Sequence, residues 1–141
     1  MAVADIGLFR VTSERIDPEV VRSLVEHDGA GAIVLFHGVV RNQALSGREV
    51  THLEYEAYPE MAEEKMLQIG QEIKDRYDVK RVAIVHRVGR LALGEASVVI
   101  AVSSARRRSA FKASEYAIDR LKEIVPIWKK EIGPDGKSWV E

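Results

Sequence analysis

The spacing of hydrophobic and polar residues along the chain predicts alternating strands and helices. Apolar residues that alternate with polar ones, or that form a short continuous run, are typical of strands, whereas a recurrence every three or four positions is typical of helices. Strands are predicted over residues 6–11, 30–40, 50–57, 80–87 and 96–103, after Pro126, and around Trp139. Helices are predicted over residues 17–27 and 59–77 and from the arginines at 106–108 to Val125, and residues 88–94 are expected to form a short excursion between turns.

The order of these elements predicts one α+β domain over residues 1–141, with a mixed sheet and three main helices. Residues 30–40 form the most apolar stretch and are rich in branched side chains, so we expect a buried central strand there. The third helix is expected to end at Pro126, with Ser103 and Ser104 as candidate N-terminal caps. The residues of its predicted buried face are Phe111, Ser114, Ile118, Leu121 and Val125.

The composition is that of an ordinary globular protein, with 46% hydrophobic and 30% charged residues in a chain of 141. No apolar run approaches the roughly 20 residues that a membrane helix needs. Asp5 and Arg10 interrupt any apolar core of a signal peptide, so we expect a cytoplasmic protein. Because the chain contains no cysteine, disulfides, thiolate metal sites and a thiol nucleophile of its own are excluded.

Residues 103–130 stand out by charge, since eight basic and three acidic residues give this segment a net charge of +5 in a chain of net charge −1. A positive field of this kind favours an anionic ligand. The arginines at 106–108 lie at the predicted start of the third helix, where free N–H groups also favour anions. Lys122 and Lys129 flank Pro126, and a proline corner can bring two such lysines to one pocket. Taken singly, the arginines are also consistent with a solvated face, and Lys122 with complementation of the helix dipole.

The four histidines do not show the spacing of a metal site, and we predict neither a metal nor a bound cofactor. His37 and His86 lie within apolar strand patterns, which is typical of core or rim histidines. The motifs of zinc proteases, serine hydrolases and phosphate-binding loops are absent as well. The residue pattern by itself therefore predicts a globular domain with a pocket suited to anions.

Five segments occur in an order that is typical of one known family: FHGVVRN at 36–42, EYEAYP at 54–59, VHRVGRLALGE at 85–95, SSARRR at 103–108 and LKEIVPIWKKE at 121–131. Over residues 30–140 the chain resembles the molybdopterin synthase catalytic (large) subunit family. The resemblance implies an α/β hammerhead-type fold and a homodimer. It also implies that each copy binds a small, ubiquitin-like sulfur-carrier subunit, giving a heterotetramer. The carrier's C-terminal Gly-Gly thiocarboxylate would then deliver two sulfurs to cyclic pyranopterin monophosphate, which becomes the dithiolene of molybdopterin.

The resemblance also implies roles for individual residues. Lys122 matches the family lysine nearest the chemistry, and Lys129 matches a second essential lysine. Arg106 stands where the family usually has a histidine, which removes a group that titrates near neutral pH. The residues that match substrate-binding or pocket-lining positions are Val39, Arg41, Arg106, Arg107, Lys122, Lys129, Lys130 and Glu131.

The chemical role expected of Lys122 depends on its neighbours. Crowding by Arg106, Arg107 and Lys129 would favour a neutral amine, which can act as a base or as a nucleophile. One alternative from another class is a nucleic-acid-binding module that uses the arginines at 106–108. The net charge of −1 and the lack of interleaved basic and aromatic residues argue against that module. A scaffold without activity is a further alternative, and the intact pair of lysines argues against it.

Overall fold

The computed structural model describes residues 7–140, which form eight strands and three helices. All the predicted strands and helices are present, with shifts at their ends, and Ile6 of the first predicted strand lies outside the described residues. The additional element is a short strand where the sequence indicated only an excursion between turns. In chain order the elements are β1 (Gly7–Thr12), α1 (Pro18–Ser23), β2 (Ala32–Val39), β3 (His52–Ala57), α2 (Pro59–Arg76), β4 (Arg81–Arg87), β5 (Gly89–Ala92), β6 (Ala96–Ser104), α3 (Arg107–Ile124), β7 (Ile127–Ile132) and β8 (Ser138–Val140).

The strands form two four-stranded sheets. In the first sheet the order is β1-β4-β6-β2, with β1 and β4 parallel and the other neighbours antiparallel. In the second sheet the order is β5-β3-β7-β8, and every pairing is antiparallel. The prediction of an α+β fold with a mixed sheet and three helices is therefore confirmed.

Helices cover both faces of the first sheet, and this arrangement explains its continuous apolar strands. β6 is buried along its whole length, and β4 is buried from Val82 to His86. Val82 and Ile84 pack with α2 and α3 on one face, whereas Ala83 and Val85 pack with α1 on the other. A strand that is covered on both sides reads as an apolar run without alternation. Within the described part of the chain, no helix is both long enough and apolar enough to cross a membrane.

The prediction that residues 30–40 form a buried central strand is wrong, because β2 is an edge strand of the first sheet. Ile33, His37 and Val39 are exposed, while Val34 and Phe36 pack against the core that α3 helps to cover. An apolar run does not distinguish a central strand from an edge strand, since an edge strand still buries the face that meets a helix. The exposed end of β2 leads directly into the loop that carries Arg41.

α1 is shorter than predicted. It begins at Pro18, and the side chain of Asp17 caps it by accepting a hydrogen bond of 3.0 Å from the N–H of Glu19. It ends at Ser23 rather than near residue 27, because residues 24–26 continue as tight turns closed by bonds between residues three apart. Val25, just beyond the helix, is nevertheless fully buried against the first sheet.

The buried face of α3 includes the predicted residues Ser114 and Leu121, and Val125 just beyond the helix is buried as predicted, but the prediction is wrong for Phe111. Phe111 is 60% exposed instead of buried. Alanine carries little weight in a hydrophobicity pattern, which is why the larger Phe111 was assigned to the core. The small residues on the true face let the helix lie close to the sheet. The buried residues of α3 are Ala110, Ala113, Ser114, Ala117 and Leu121.

The predicted serine caps of α3 are also absent. The N-cap residue is Arg106, whose side chain makes no capping hydrogen bond. The hydroxyl of Ser103 accepts a bond of 3.2 Å from the N–H of Arg81, and the hydroxyl of Ser104 donates to the carbonyl of Arg106. Both serines belong to β6, so they lie too early in the chain to reach the free N–H groups of the first helical turn.

Candidate active site

A cavity of about 580 Å³ lies where the two sheets meet the C-terminal end of α3. Strands from both sheets form its walls, together with the last turns of α3 and the loop after β2. Its mixture of apolar and charged side chains suits a ligand that is itself partly apolar and partly charged. The lining residues are Phe36, Gly38, Val39, Arg41, Leu45, Leu53, Tyr55, His86, Ser97, Val98, Ile118, Leu121, Lys122, Val125, Ile127, Lys129 and Glu131.

The corner between α3 and β7 brings Lys122 and Lys129 to this cavity. Lys122 lies in the last turn of α3, directly after the buried Leu121, so its side chain emerges at the edge of the packed face. Pro126 cannot continue the helix, and β7 begins at the next residue. The change of direction at this proline therefore places two lysines at one cavity.

The two faces of β7 have different surroundings, because side chains alternate along a strand. Lys129 and Glu131 line the cavity, whereas Trp128 and Lys130 do not. The expectation that Lys130 shares the pocket of Lys129 is thus not met within this chain, since neighbouring strand residues point to opposite faces. Trp128 is about half exposed and meets the ring of Tyr58 edge to face, with ring centres 5.3 Å apart.

The end of β2 and the following loop contribute Val39 and Arg41 to the cavity. The pairing of β2 with β6 is irregular just before Val39, which is the point at which β2 leaves the sheet. Between these two residues, Val40 is buried and its backbone is held in both directions. Its N–H donates to the carbonyl of Glu95 at 3.0 Å, and its carbonyl accepts from the N–H of Gly94 at 2.8 Å. These bonds fix the backbone from which Arg41 projects.

Glu131 is a buried carboxylate at the cavity and is only 4% exposed. Its Oε1 accepts a hydrogen bond of 2.6 Å from the indole N–H of Trp139. The guanidinium of Arg48 lies over the same indole, 4.9 Å from the ring centre. Glu131 and Trp139 are directly opposite each other in the β7–β8 pairing. The terminal strand and the loop after β2 therefore hold this carboxylate in place.

His86 is buried beside the cavity in a neutral form. Its Nδ1 lies 2.8 Å from the carbonyl oxygen of Arg87, and its ring meets that of Tyr55 edge to face with centres 5.0 Å apart. Burial lowers the pKa of His86 to about 4, although the bond to the carbonyl of Arg87 acts in the opposite direction. The imidazole is therefore uncharged near neutral pH. Its burial fits the interpretation of His86 as a core histidine, whereas His37 is exposed.

Tyr55, His86 and Ser97 line the cavity although the sequence did not predict them as site residues. A weak signal was present, because Ser97 is a polar residue near the start of an otherwise apolar strand. Tyr55 lies in β3, His86 in β4 and Ser97 in β6. These strands meet at one cavity because the two sheets pack together, and no local sequence pattern predicts that packing. Among residues 7–140, no group of three or more His, Cys, Asp or Glu side chains is placed to hold a metal ion.

The arginines at 106–108 lie at the opposite end of α3 from Lys122. Lys122 lies fifteen positions after Arg107 on this helix, which is about 22 Å along the axis at 1.5 Å per residue. The three arginines line a different groove, together with Gly31, Ala105, Phe111 and Lys112. Within one chain, Arg106 and Arg107 therefore do not crowd Lys122. Of its three expected positive neighbours, Lys129 is the one that shares its cavity, and Arg41 lines that cavity as well.

A polar network between α2 and α3 fixes the helix that carries Lys122. Both oxygens of Glu72 accept from the guanidinium of Arg120, at 2.9 Å and 3.2 Å, and the hydroxyl of Tyr116 donates to Glu72 at 2.7 Å. A further bond of 3.0 Å comes from the amide of Gln68. The hydrogen bonds from Arg120 are the main reason why the pKa of Glu72 is lowered to about 2. Arg120 itself has a raised pKa, chiefly because of its bond to Glu72.

Comparison with known proteins gives a consistent result. The family model described as MoaE protein matches residues 11–124. The molybdopterin synthase catalytic subunit of Halalkalibacterium halodurans is 51% identical over 132 residues, covering 94% of this chain and 84% of that protein. The crystal structure of molybdopterin synthase from Staphylococcus aureus matches with a TM-score of 0.88 at 46% identity, covering 94% of this chain and 96% of that one. A protein–protein complex of subunits 1 and 2 of molybdopterin-converting factor from Helicobacter pylori shares the fold at 21% identity, with a TM-score of 0.75 over 93% of this chain and 88% of that one.

Proposed function

The chain belongs to the MoaE protein family, and on that premise we propose that it is the catalytic subunit of a molybdopterin synthase. The enzyme transfers sulfur from the thiocarboxylated C-terminus of a small carrier subunit to cyclic pyranopterin monophosphate, forming the dithiolene of molybdopterin. One observation carries this proposal: Arg41, Lys122 and Lys129 meet at one cavity in a chain that has no cysteine.

Both reactants are anionic, so the cavity has to offset their mutual repulsion. Two unit charges 4 Å apart repel by about 1 kcal/mol in water and by about 4 kcal/mol near a protein surface. Arg41 suits the phosphate, because a guanidinium can donate two parallel N–H bonds to it. Lys122 and Lys129 add compact positive charges on flexible stems, which suits a group that moves during the reaction.

Sulfur has to arrive on another molecule, because this chain contains no thiol. In the transfer, the sulfur of the thiocarboxylate bonds to a carbon of the pyranopterin while a carbon–oxygen bond at that carbon breaks and the oxygen leaves with the bonding electrons. The carbon–sulfur bond on the carrier side then breaks, which leaves the sulfur on the pyranopterin. The acyl group of the carrier is then taken up by Lys122 or by water. We assign proton transfer or acyl capture to Lys122, and stabilisation of the thiocarboxylate or of the developing negative charge to Lys129.

The proposed assembly is a homodimer of this chain with one carrier subunit on each copy. Its support is twofold. The Helicobacter pylori relative of the same fold is a complex of two subunits. In addition, Arg106 and Arg107 match substrate-binding positions although α3 separates them from Lys122, so a second copy has to supply them to a shared substrate. A cytoplasmic location remains a prediction from the sequence.

The proposal is tested by assaying the purified chain with thiocarboxylated carrier and cyclic pyranopterin monophosphate. We expect molybdopterin to form, and to form only when the carrier ends in a thiocarboxylate. The same carrier with an ordinary carboxylate end is the matched control. Product formation at a comparable rate from inorganic sulfide, without carrier, would overturn the two-subunit mechanism.

A further inference from the structure

The polar groups around the cavity fall into donors and acceptors. Arg41 and Lys129 offer hydrogen-bond donors, and Lys122 does so in its charged form. Glu131 is a carboxylate with one oxygen occupied by Trp139, so it can only accept. The hydroxyl of Ser97 donates to the carbonyl of Gly38 at 3.4 Å, and its lone pairs remain for a ligand. The remaining polar side chains are those of Tyr55 and His86, and the role of His86 depends on which of its ring nitrogens carries the proton.

The hydrogen bond to Arg87 determines the tautomer of His86. A carbonyl oxygen can only accept, so Nδ1, which lies 2.8 Å from it, has to carry the proton and donate. Since burial keeps the ring uncharged near neutral pH, Nε2 then carries no proton. Nε2 can accept a hydrogen bond but cannot donate one.

The surroundings of His86 also fix the orientation of this acceptor. The residue is 4% exposed and lies within β4, paired with Val11 on one side and Val98 on the other. The edge-to-face contact with Tyr55 holds the ring from the second sheet. A ring held by a hydrogen bond and by packing loses little freedom when a ligand binds, which favours its use in recognition.

We propose that His86 is a specificity-determining residue of the cavity, whose Nε2 accepts a hydrogen bond from an N–H or O–H group of the uncharged heterocycle of the substrate. This inference rests on the proposed function and deepens it. Arg41, Lys122 and Lys129 bind the anionic groups, and the side of the cavity formed by His86 and Ser97 binds the donor groups of the ring system.

This division gives the substrate a direction in the cavity. A phosphate or a thiocarboxylate has no proton to donate at neutral pH, so its oxygens would face the lone pair of Nε2 without a hydrogen bond. Such a contact leaves two acceptors unpaired in a partly buried site, which is unfavourable. The anionic groups are therefore directed away from His86 and toward the lysines.

Two substitutions separate the acceptor from the packing of the ring. His86→Phe keeps a ring against Tyr55 but removes the acceptor, whereas His86→Gln keeps an acceptor oxygen near the position of Nε2. We expect His86→Phe to raise the Kd and KM for cyclic pyranopterin monophosphate about tenfold, the loss expected when a buried donor is left unpaired. For His86→Gln, the Kd and KM for cyclic pyranopterin monophosphate should stay within about threefold of the values of the original chain. The KM for thiocarboxylated carrier should be unchanged in both variants, and His37→Gln, on the exposed edge strand, is the matched control.

A measurement on the unchanged protein complements these variants. Nitrogen-15 NMR of the imidazole reports whether Nε2 is unprotonated and whether it accepts a hydrogen bond, and the spectrum of His86→Gln assigns the signal. Adding cyclic pyranopterin monophosphate should shift the Nε2 resonance of His86 and leave that of His37 unchanged.

The outcomes distinguish this inference from the proposed function. An unshifted Nε2 resonance in a protein that turns over normally would overturn the role of His86, as would precursor binding to His86→Phe at the original affinity. Equal losses of affinity for the precursor in folded His86→Phe and His86→Gln would also overturn it, because the hydrogen-bond acceptor would then make no difference. A shifted resonance in a protein that makes no molybdopterin would instead overturn the proposed function and support the binding site.

Discussion

At the scale of single residues, the position of Lys122 decides what its amine can do. It follows the buried Leu121 at the end of α3, is itself exposed, and reaches the cavity shared with Lys129. The arginines that were expected to crowd it are a helix length away. The other positively charged side chains that line this cavity in the same chain are those of Arg41 and Lys129.

We expect Lys122→Ala to lower turnover at least about a hundredfold, the usual scale for the loss of a proton-transfer group. Stability should change by less than about 0.5 kcal/mol, because the side chain is exposed. Lys122→Arg should be equally inactive, since arginine keeps the charge but does not supply a neutral amine. The checks are single-turnover product formation and thermal unfolding.

Lys65→Ala is the matched control for these variants, because Lys65 is a helical lysine on α2 that lines neither this cavity nor the groove of the arginines. It should retain the turnover of the original chain. An active Lys122→Arg enzyme would show that the residue only attracts anions, and the chemical role would then pass to Lys129 or to the substrate.

The residues of the site differ in how far the sequence predicts them. The Lys122–Pro126–Lys129 corner was predictable because it is local, consisting of a helix end, a proline and a strand. The arginine cluster was misleading for the same reason, since closeness in sequence is not closeness in space once α3 extends between its ends. His86 and Tyr55 come together only through the packing of two sheets, which no local pattern specifies.

At the scale of secondary-structure elements, the hydrogen bonds between α2 and α3 should make stability depend on pH. Glu72 has a pKa of about 2 in the folded protein against an ordinary value of 4.5. Its folded pKa is the lower one, so its contribution is complete above about pH 5 and is lost as the pH falls toward about 2.

We therefore expect Glu72→Gln to lower the free energy of unfolding by about 1–3 kcal/mol near neutral pH, the scale of hydrogen bonds to a charged group. The difference from the original chain should shrink between about pH 5 and pH 2. Urea unfolding of both proteins at a series of pH values measures this difference in the free energy of unfolding. The low pKa of His86 also weakens the fold in acid, but it does so in both proteins and cancels in the difference.

Glu64→Gln is the control for this experiment, since Glu64 is an exposed carboxylate on the same helix. Glu64→Gln should change the free energy of unfolding little at any pH. A difference between Glu72→Gln and the original chain that stays constant from neutral pH to pH 2 would show that the charge of Glu72 contributes nothing, and that only the shape of its side chain matters.

Across the secondary-structure elements, the sequence predicted whether a segment is a strand or a helix better than it predicted where the segment lies in the fold. Seven of the strands and all three helices were predicted from apolar runs, from periodicity and from proline or turn residues. The edge position of β2 does not, since a strand under a helix is apolar wherever it lies in the sheet. The exposure of Phe111 shows the same limit on the α3 side.

At the scale of the whole molecule, the separation of Arg107 from Lys122 has a consequence for the assembly. If both residues bind one substrate, each site combines residues of two copies, and two inactive variants should complement each other. We expect Arg107→Ala to weaken precursor binding by about 1.5–3 kcal/mol, the scale of a charge-assisted hydrogen bond.

Subunit exchange between Arg107→Ala and Lys122→Ala should then restore activity. Half of the randomly mixed dimers contain one intact site of two, so about a quarter of the original activity should return. Mixing Lys122→Ala with Lys129→Ala is the control, because these residues share one cavity and no intact site can form. Activity no higher than the average of the two unmixed proteins would contradict a shared site. Tight, salt-dependent binding of duplex DNA by the arginines would assign them to a different function.

Because side chains alternate along β7, the length of the corner before it determines which residues of the strand face the cavity. Residues 127, 129 and 131 face the cavity because the strand begins one residue after Pro126. Removing or adding one residue at the corner would present Trp128 and Lys130 to the substrate instead. If β7 then slid by one position, Lys129 would face the cavity again. The same slide would separate Glu131 from Trp139 and would change every residue pair between β7 and β3. The number of residues between Lys122 and Lys129 is therefore as strictly required as the two lysines themselves.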